Sequence, residues 1–321
     1  MNKSYKLYIE KLTQETGYID STIEKVDRLV SILEWINNNA KLKDLLVLKG
    51  GTAINLAIFN LPRLSVDIDL DMAINVSRNE MILEKTFIID MINKYLDANG
   101  YEVNTQKSKK EYALDSIVAT YQNVKGNKDN IKIEINYMLR THILENKNLK
   151  ISTDIFKNRD IYINCVNPIE IYASKICALL NRTTARDLFD IYTLSRYQLF
   201  DSSQKALLRK CFMFEYIAVC NYKLEDLKIE KIDELNMQDI RNKLLPTLKI
   251  RNPKLVEIDM MKKDVANYLK DVIFIDNTVL EFYNRFKERK YEPSILFEDK
   301  EILKRIENHP MVKWHLKNKK N

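Results

Sequence analysis

Residues 49–71 read KGGTAINLAIFNLPRLSVDIDLD, and this stretch decides the fold. An apolar run, Leu45 to Leu48, leads into Gly50-Gly51-Thr52, after which Ala53, Leu56, Ala57 and Phe59 recur at helical spacing. The pattern predicts a strand, a tight glycine turn and a short helix that ends near Pro62. Two of only five glycines in the chain stand at this turn. There a missing Cβ lets backbone approach a ligand, and the first helical N–H groups suit an anion, so a phosphate-bearing ligand is expected.

From Arg63 to Met72 the residues alternate. Ser65, Asp67, Asp69 and Asp71 fall on one side, and Val66, Ile68, Leu70 and Met72 on the other, as successive side chains of a strand do. Like charges about 5 Å apart cost roughly 3 kcal/mol at an effective dielectric near 20. A divalent cation would reverse the sign; an exposed strand whose acids discourage edge pairing is the simpler alternative.

The combination G-G-T, a short helix and R-x-S-x-D-[IL]-D resembles the first motif of the AbiEii nucleotidyltransferase family. That family comprises the toxins of type IV abortive-infection systems and belongs to the polymerase-beta-like superfamily. Two further stretches carry the likeness. Lys132 and Glu134 form a K-x-E on an alternating segment, where the family places a third carboxylate, although a surface strand alone explains the alternation equally well. Lys175, Arg182, Arg186, Asp187 and Asp190 fit K-x-x-A-L-x-x-R-x-x-x-R-D-x-x-D, a composite pattern more specific than its pieces.

Composition sets the bounds. The chain has 321 residues, 45% of them hydrophobic, enough for one large or two ordinary domains with real cores. No run of about 18 apolar residues occurs, and the N-terminus lacks a signal-peptide pattern, so a cytoplasmic protein without membrane contact is expected. Cys165, Cys177, Cys211 and Cys220 lack C-x-x-C pairing and read as reduced structural thiols, and His142, His309 and His315 are scattered. Any metal is therefore expected to be held by oxygen. The formal net charge is +7 while acids concentrate around the motif, which makes nucleic acid a candidate partner.

Along the chain, residues 20–40 predict an amphipathic helix capped by Asp20 or Ser21. A second helix is expected from Glu80 to Ala98, stopped by Asn99-Gly100. Strands 117–124 and 131–138 flank a hairpin turn at 125–129, and 160–166 reads as a further strand. Asn167-Pro168-Ile169-Glu170 predicts a capped helix start with a core stripe of Tyr172, Ile176 and Leu179, and Thr184 to Asp187 a second capping box. Lys175 and Arg182 then share a face, while Asp187 and Asp190 lie one turn apart. Beyond Gln204 the pattern is helical over 203–221, 236–249, 258–274, 276–290 and 298–318, punctuated at Pro246, Pro253, Pro293 and Pro310. Four lysines in the final KWHLKNKKN could touch phosphates, or form an ordinary solvated end.

The resemblance implies an α+β protein: a polymerase-beta-like nucleotidyltransferase domain on a small mixed sheet over residues 1–167, then an all-helical domain over 168–321. It implies transfer of NMP from an NTP to an acceptor, with two Mg²⁺ ions held by Asp67 and Asp69. Glu134 would be either a further metal ligand or the base that prepares the acceptor. Gly50, Gly51 and Thr52 would bind the β- and γ-phosphates, with Lys49 expected to snorkel to solvent instead. Lys175 would face the triphosphate, Arg182 or Arg186 would add bidentate contacts, and Asp187, with Asp190, would complete the site; Arg63 and Ser65 belong to the same ligand-binding set. The implied acceptor is RNA, perhaps the 3′ end of tRNA, and the implied partner a cognate antitoxin that need not touch the toxin. Two competing readings are an aminoglycoside-type enzyme acting on a small molecule and a basic nucleic-acid binder without catalysis.

Overall fold

The computed structural model describes residues 3–151, 153–156, 159–249 and 257–318. Pro253 and the tail lysines 319 and 320 lie outside the described residues. The chain divides into two compact units, the first comprising Met1–Thr141, Asn146–Val166 and Thr247–Lys249, the second His142–Glu145, Asn167–Pro246 and Ile250–Asn321.

The first unit is built on one mixed sheet. Helices α1 (Lys3–Thr16), α2 (Asp20–Asn38) and α3 (Leu42–Leu45) precede β1 (Leu46–Leu48). Helix α4 (Gly50–Ala53) continues into a π-helical turn, Ile54–Ile58, before β2 (Asp67–Met72) and α5 (Arg78–Ala98). The remaining strands are β3 (Glu102–Val103), β4 (Lys109–Lys110), β5 (Leu114–Gln122), β6 (Lys128–Asn136), β7 (Lys147–Lys150) and β8 (Tyr162–Cys165). The order is β3-β5-β6-β2-β1-β8-β7, with β4 also on β5. Strand β1 is central: antiparallel to β2, parallel to β8, and buried along its length. Strands β2 and β6 are parallel, which brings Asp69 opposite Glu134 and Asp67 opposite Lys132.

The period-two pattern sorts the sheet's faces. Ile68, Leu70 and Met72 of β2 and Ile131, Ile133 and Ile135 of β6 are buried on one side. Asp115 stands opposite Ile135, hence on that same side, and pairs with Lys85 of α5 at 3.1 Å, so α5 covers it. Helix α2 packs there against β6 and β8. Buried Glu24 of α2 accepts from Arg28 Nε (2.9 Å) and from the Val124 N–H (2.7 Å), and the Arg28 guanidinium lies 4.2 Å from the Tyr121 ring centre. The acids of β2 are left on the opposite face.

The second unit contains no strand among its described residues. It includes α6 (Pro168–Arg182), α7 (Ala185–Tyr197) and α8 (Ser202–Phe214), the last running into a π turn, Glu215–Val219. Asn167 caps α6 through the Ile169 N–H at 3.1 Å, and Tyr172, Ile176 and Leu179 are fully buried.

Several local expectations are corrected. Helix α2 is capped by neither Asp20 nor Ser21, because Ile19 takes the cap position and Asp20 already lies inside the helix. Glu170 is spent on tertiary structure, its carboxylate accepting the Ile143 and Leu144 N–H groups at 3.0 and 2.9 Å. Residues 236–249 form a short α-turn, a π turn and a 3₁₀ turn, ending around Pro246. The expected helix 298–318 is two helices, Lys300–Ile306 and Pro310–Asn318, because Pro310 starts a helix more readily than it continues one.

Glu24→Ala strands a guanidinium and a buried N–H, so it is expected to lower unfolding free energy by about 3 kcal/mol in urea titration.

Candidate active site

The glycine bend and β2 are knitted together by backbone. The Lys49 N–H donates to the Asp69 carbonyl at 2.9 Å, and the Thr52 hydroxyl donates to the Asp67 carbonyl at 2.5 Å and touches Ser65 Oγ at 2.9 Å. Thr52 is fully buried, so its hydroxyl is committed to holding the turn against the strand. Gly50 has φ +71, and a Cβ there would come within 2.7 Å of Asp69 Oδ2. A Cβ on Gly51 would meet Arg63 Nη2 at 2.6 Å and Ser65 Oγ at 3.2 Å. A Cβ at either position would force a neighbouring side chain aside, and at Gly50 it would also meet a left-handed backbone. Arg63 is buried, donates from Nη1 to the Leu64 carbonyl (3.1 Å) and from its backbone N–H to Asn55 Oδ1 (3.2 Å). Asn55 Nδ2 in turn donates to the Gly51 carbonyl at 2.6 Å.

The acids on this face are not equivalent. Asp71 is buried and paired with Lys49 at 2.5 Å. The expectation that Lys49 snorkels to solvent is thereby overturned, because a buried carboxylate one strand away holds its ammonium. Glu134 pairs with Lys132 at 2.9 Å. The half-buried Asp67 carboxylate has no hydrogen-bond or ion-pair partner among the described residues.

This donor set suits magnesium. Mg²⁺ prefers oxygen ligands and is usually held by one or two carboxylates together with waters and substrate phosphates. Asp67 and Asp69 on one strand face, with Glu134 in register beside Asp69, supply hard oxygen donors of that kind. Among the described residues no three His, Cys, Asp or Glu side chains form a ready-made cage.

A second constellation lies wholly on α6 and α7. Lys175, buried, pairs with Asp187 Oδ1 at 3.0 Å and Asp190 Oδ2 at 3.2 Å. Arg182 grips Asp187 in a fork, Nε to Oδ2 at 2.8 Å and Nη2 to Oδ1 at 3.1 Å. Thr184 caps α7 through the Asp187 N–H (3.3 Å) and donates its hydroxyl to Asp187 Oδ2 (2.7 Å). Burial pushes the Asp187 carboxyl up, but the Lys175 ammonium, the Arg182 guanidinium and the Thr184 hydroxyl outweigh it and hold the group well below the usual carboxylate range. Arg186, half-buried, has no salt-bridge partner among the described residues.

Within the first unit the structure gathers Gly50, Gly51, Thr52, Arg63, Ser65, Asp67, Asp69 and Glu134, and within the second Lys175, Arg182, Asp187 and Asp190. The sequence does not single out Asn55, the Lys49–Asp71 pair or the Lys132–Glu134 ion pair. The i, i+2 spacing of Lys132 and Glu134 was visible; the role of Asn55 had no local signal.

A glycine bend seated against a strand bearing D-x-D, with a third carboxylate on the neighbouring parallel strand, defines a nucleotidyltransferase. The family model described as nucleotidyl transferase AbiEii toxin, type IV toxin–antitoxin system, matches residues 32–274, and the chain belongs to that family. Among solved structures the chain is similar to MenT4, a nucleotidyltransferase toxin from Mycobacterium tuberculosis H37Rv. The TM-score is 0.64 at 14% identity, covering 96% of this chain and 98% of that one, a likeness of fold. No curated protein matches the sequence. Family membership implies a nucleoside triphosphate substrate and an antitoxin partner. No helix among the described residues is long and apolar enough to cross a membrane.

Gly50→Ala is expected to abolish nucleotide binding in calorimetry and to lower stability by about 1–2 kcal/mol, since Ala meets both the φ penalty and Asp69. Lys175→Met leaves two buried carboxylates uncompensated, and is expected to cost about 3–5 kcal/mol in urea unfolding. Asp187 binds fewer protons folded than unfolded in acid. Its stabilisation is therefore complete above the ordinary Asp pKa of about 3.9 and disappears as pH falls below it. Asp187→Asn should flatten that acid limb in pH-dependent unfolding.

Proposed function

We propose that the protein is a Mg²⁺-dependent toxin that transfers NMP from an NTP to RNA, at the 3′ end of tRNA. It would act in the cytoplasm to stop translation in abortive infection and phage defence. The observation that carries this reading is the seating of the Gly50–Gly51 bend against Asp69, beside an Asp67 carboxylate that lacks a protein partner among the described residues.

The reaction forms a bond between an acceptor hydroxyl oxygen and the α-phosphorus and breaks the α–β phosphoanhydride, releasing pyrophosphate. Bound magnesium supplies charge neutralisation at the phosphates and at the attacking and leaving oxygens. The chain's own part is positioning and electrostatics. Backbone N–H groups at Gly50 and Gly51 hold the β- and γ-phosphates, Thr52 and Ser65 fix the turn, and buried Arg63 backs it. Asp67 and Asp69 would hold the metal. Glu134, on exchanging Lys132, either joins them or takes the acceptor's proton.

Residues 1–167 are assigned to nucleotidyl transfer and 168–321 to acceptor choice. Lys175 and Asp187 serve the reaction, with Asp190 pairing to Lys175 and Arg182 holding the Asp187 carboxylate in place. Arg186 offers a fork for phosphate. Family membership sets aside a purely non-enzymatic binder.

Incubation with each α-labelled NTP, Mg²⁺ and total RNA tests this. Label is expected in tRNA-sized RNA from one preferred NTP, lost with EDTA and reduced at least about a hundredfold by Asp67→Ala. Equal labelling by Asp67→Ala, or label appearing on an aminoglycoside and never on RNA, would overturn it.

A further inference from the structure

The second unit carries a cavity of about 350 Å³ that has no part in the motifs described so far. It is lined by Leu180 and Asn181 of the last turn of α6 and by Lys223, Lys228 and Lys231, with a single acid, Asp226. Lys228 and Lys231 have no ion-pair partner among the described residues, whereas Lys6, Lys11, Lys94 and Lys243 each pair with an acid four residues away. Three lysines line the cavity against one lining acid, so an anion there would be attracted.

The aromatic wall is rigid. Tyr222 lies edge-on to Tyr216, ring centres 5.2 Å apart and planes at 65°, and its N–H donates to the Tyr216 carbonyl at 2.9 Å. The Tyr216 hydroxyl donates to the Lys223 carbonyl at 3.2 Å, which fixes the loop bearing the first lysine. Tyr222 is only half-buried, so part of its ring is open to a ligand.

Cations beside a held aromatic ring are what single-stranded nucleic acid requires: a charged track for phosphates and a π-face for a base. The volume is at the low end for ligand pockets and suits one nucleotide rather than a folded partner. Asn181, which lines the cavity, adds an amide for base-edge hydrogen bonds. The next residue, Arg182, grips Asp187, so one turn of α6 serves both the cavity and the Lys175 cluster.

We infer that this cavity is a binding site for a nucleotide of the single-stranded acceptor RNA, with Lys223, Lys228 and Lys231 on its phosphates and Tyr222 under its base. The inference rests on the proposed RNA-directed activity, and names where in the second unit that RNA is held.

The test measures binding of fluorescent tRNA and of a short single-stranded RNA to the full-length protein by anisotropy across a salt series. The proteins compared are wild type, Lys228→Glu with Lys231→Glu, and Tyr222→Ala; NTP binding is followed separately by calorimetry. The double lysine variant is expected to raise Kd at least about tenfold. It should also reduce the slope of log K against log salt by about 1.4, roughly 0.7 for each lost phosphate contact. Tyr222→Ala is expected to weaken RNA binding about tenfold. NTP binding should stay unchanged in both. If wild type labels RNA but the lysine variant keeps its affinity and salt slope, the cavity assignment fails and the proposed function stands. Failure of wild type to bind or label RNA overturns both. If RNA binding is unmoved while the lysine variant loses an acidic protein partner, the cavity is a protein-docking site and the inference is wrong.

Discussion

The contact on which the first unit depends is the approach of the Gly50 backbone to the Asp69 carboxylate, with no room for a Cβ between them. A turn with left-handed φ can be built from other residues at some cost, but here any side chain atom would also displace the acid. The bend proposed to bind phosphate and the strand proposed to hold metal are thus set by one contact. Hydrogen bonds from Lys49 and Thr52 to the carbonyls of Asp69 and Asp67 keep them in that relation.

Around this contact the strand's charges are divided. Lys49 neutralises Asp71 and Lys132 neutralises Glu134. The repulsion that four carboxylates on one sheet face would create is therefore partly relieved by the protein itself. The Asp67 carboxylate keeps no partner among the described residues, and a cation would be attracted there. Lys132 occupies Glu134, so the role proposed for Glu134 requires exchanging one cation for another.

The α6–α7 cluster follows a different logic. Burying two aspartates and a lysine is costly unless each is paired, and Arg182 and Thr184 complete the set. The result is a rigid ammonium whose position is set by two helices at once. Loss of any member acts on folding, whatever it does to the proposed chemistry.

Much of this was legible in the primary structure, because the relevant rules are local. Alternation in a strand placed Asp67, Asp69 and Asp71 on one face, Gly50-Gly51 announced a bend, and Asn167-Pro168 and Thr184 announced helix starts that the structure contains. Charge partners were not legible, because they are chosen by register and packing. Nothing local says that Lys49 meets Asp71 across the β1–β2 pair, or that Asp69 stands opposite Glu134 on a strand more than sixty residues away. Glu170 looked like a cap, yet two N–H groups of the 142–145 segment claimed it. The residues alone determined which chemistry the chain carries and on which faces of its elements. Only tertiary structure decided which charges are cancelled and which remain for a ligand, since Coulomb energy depends on distances that sequence separation does not set.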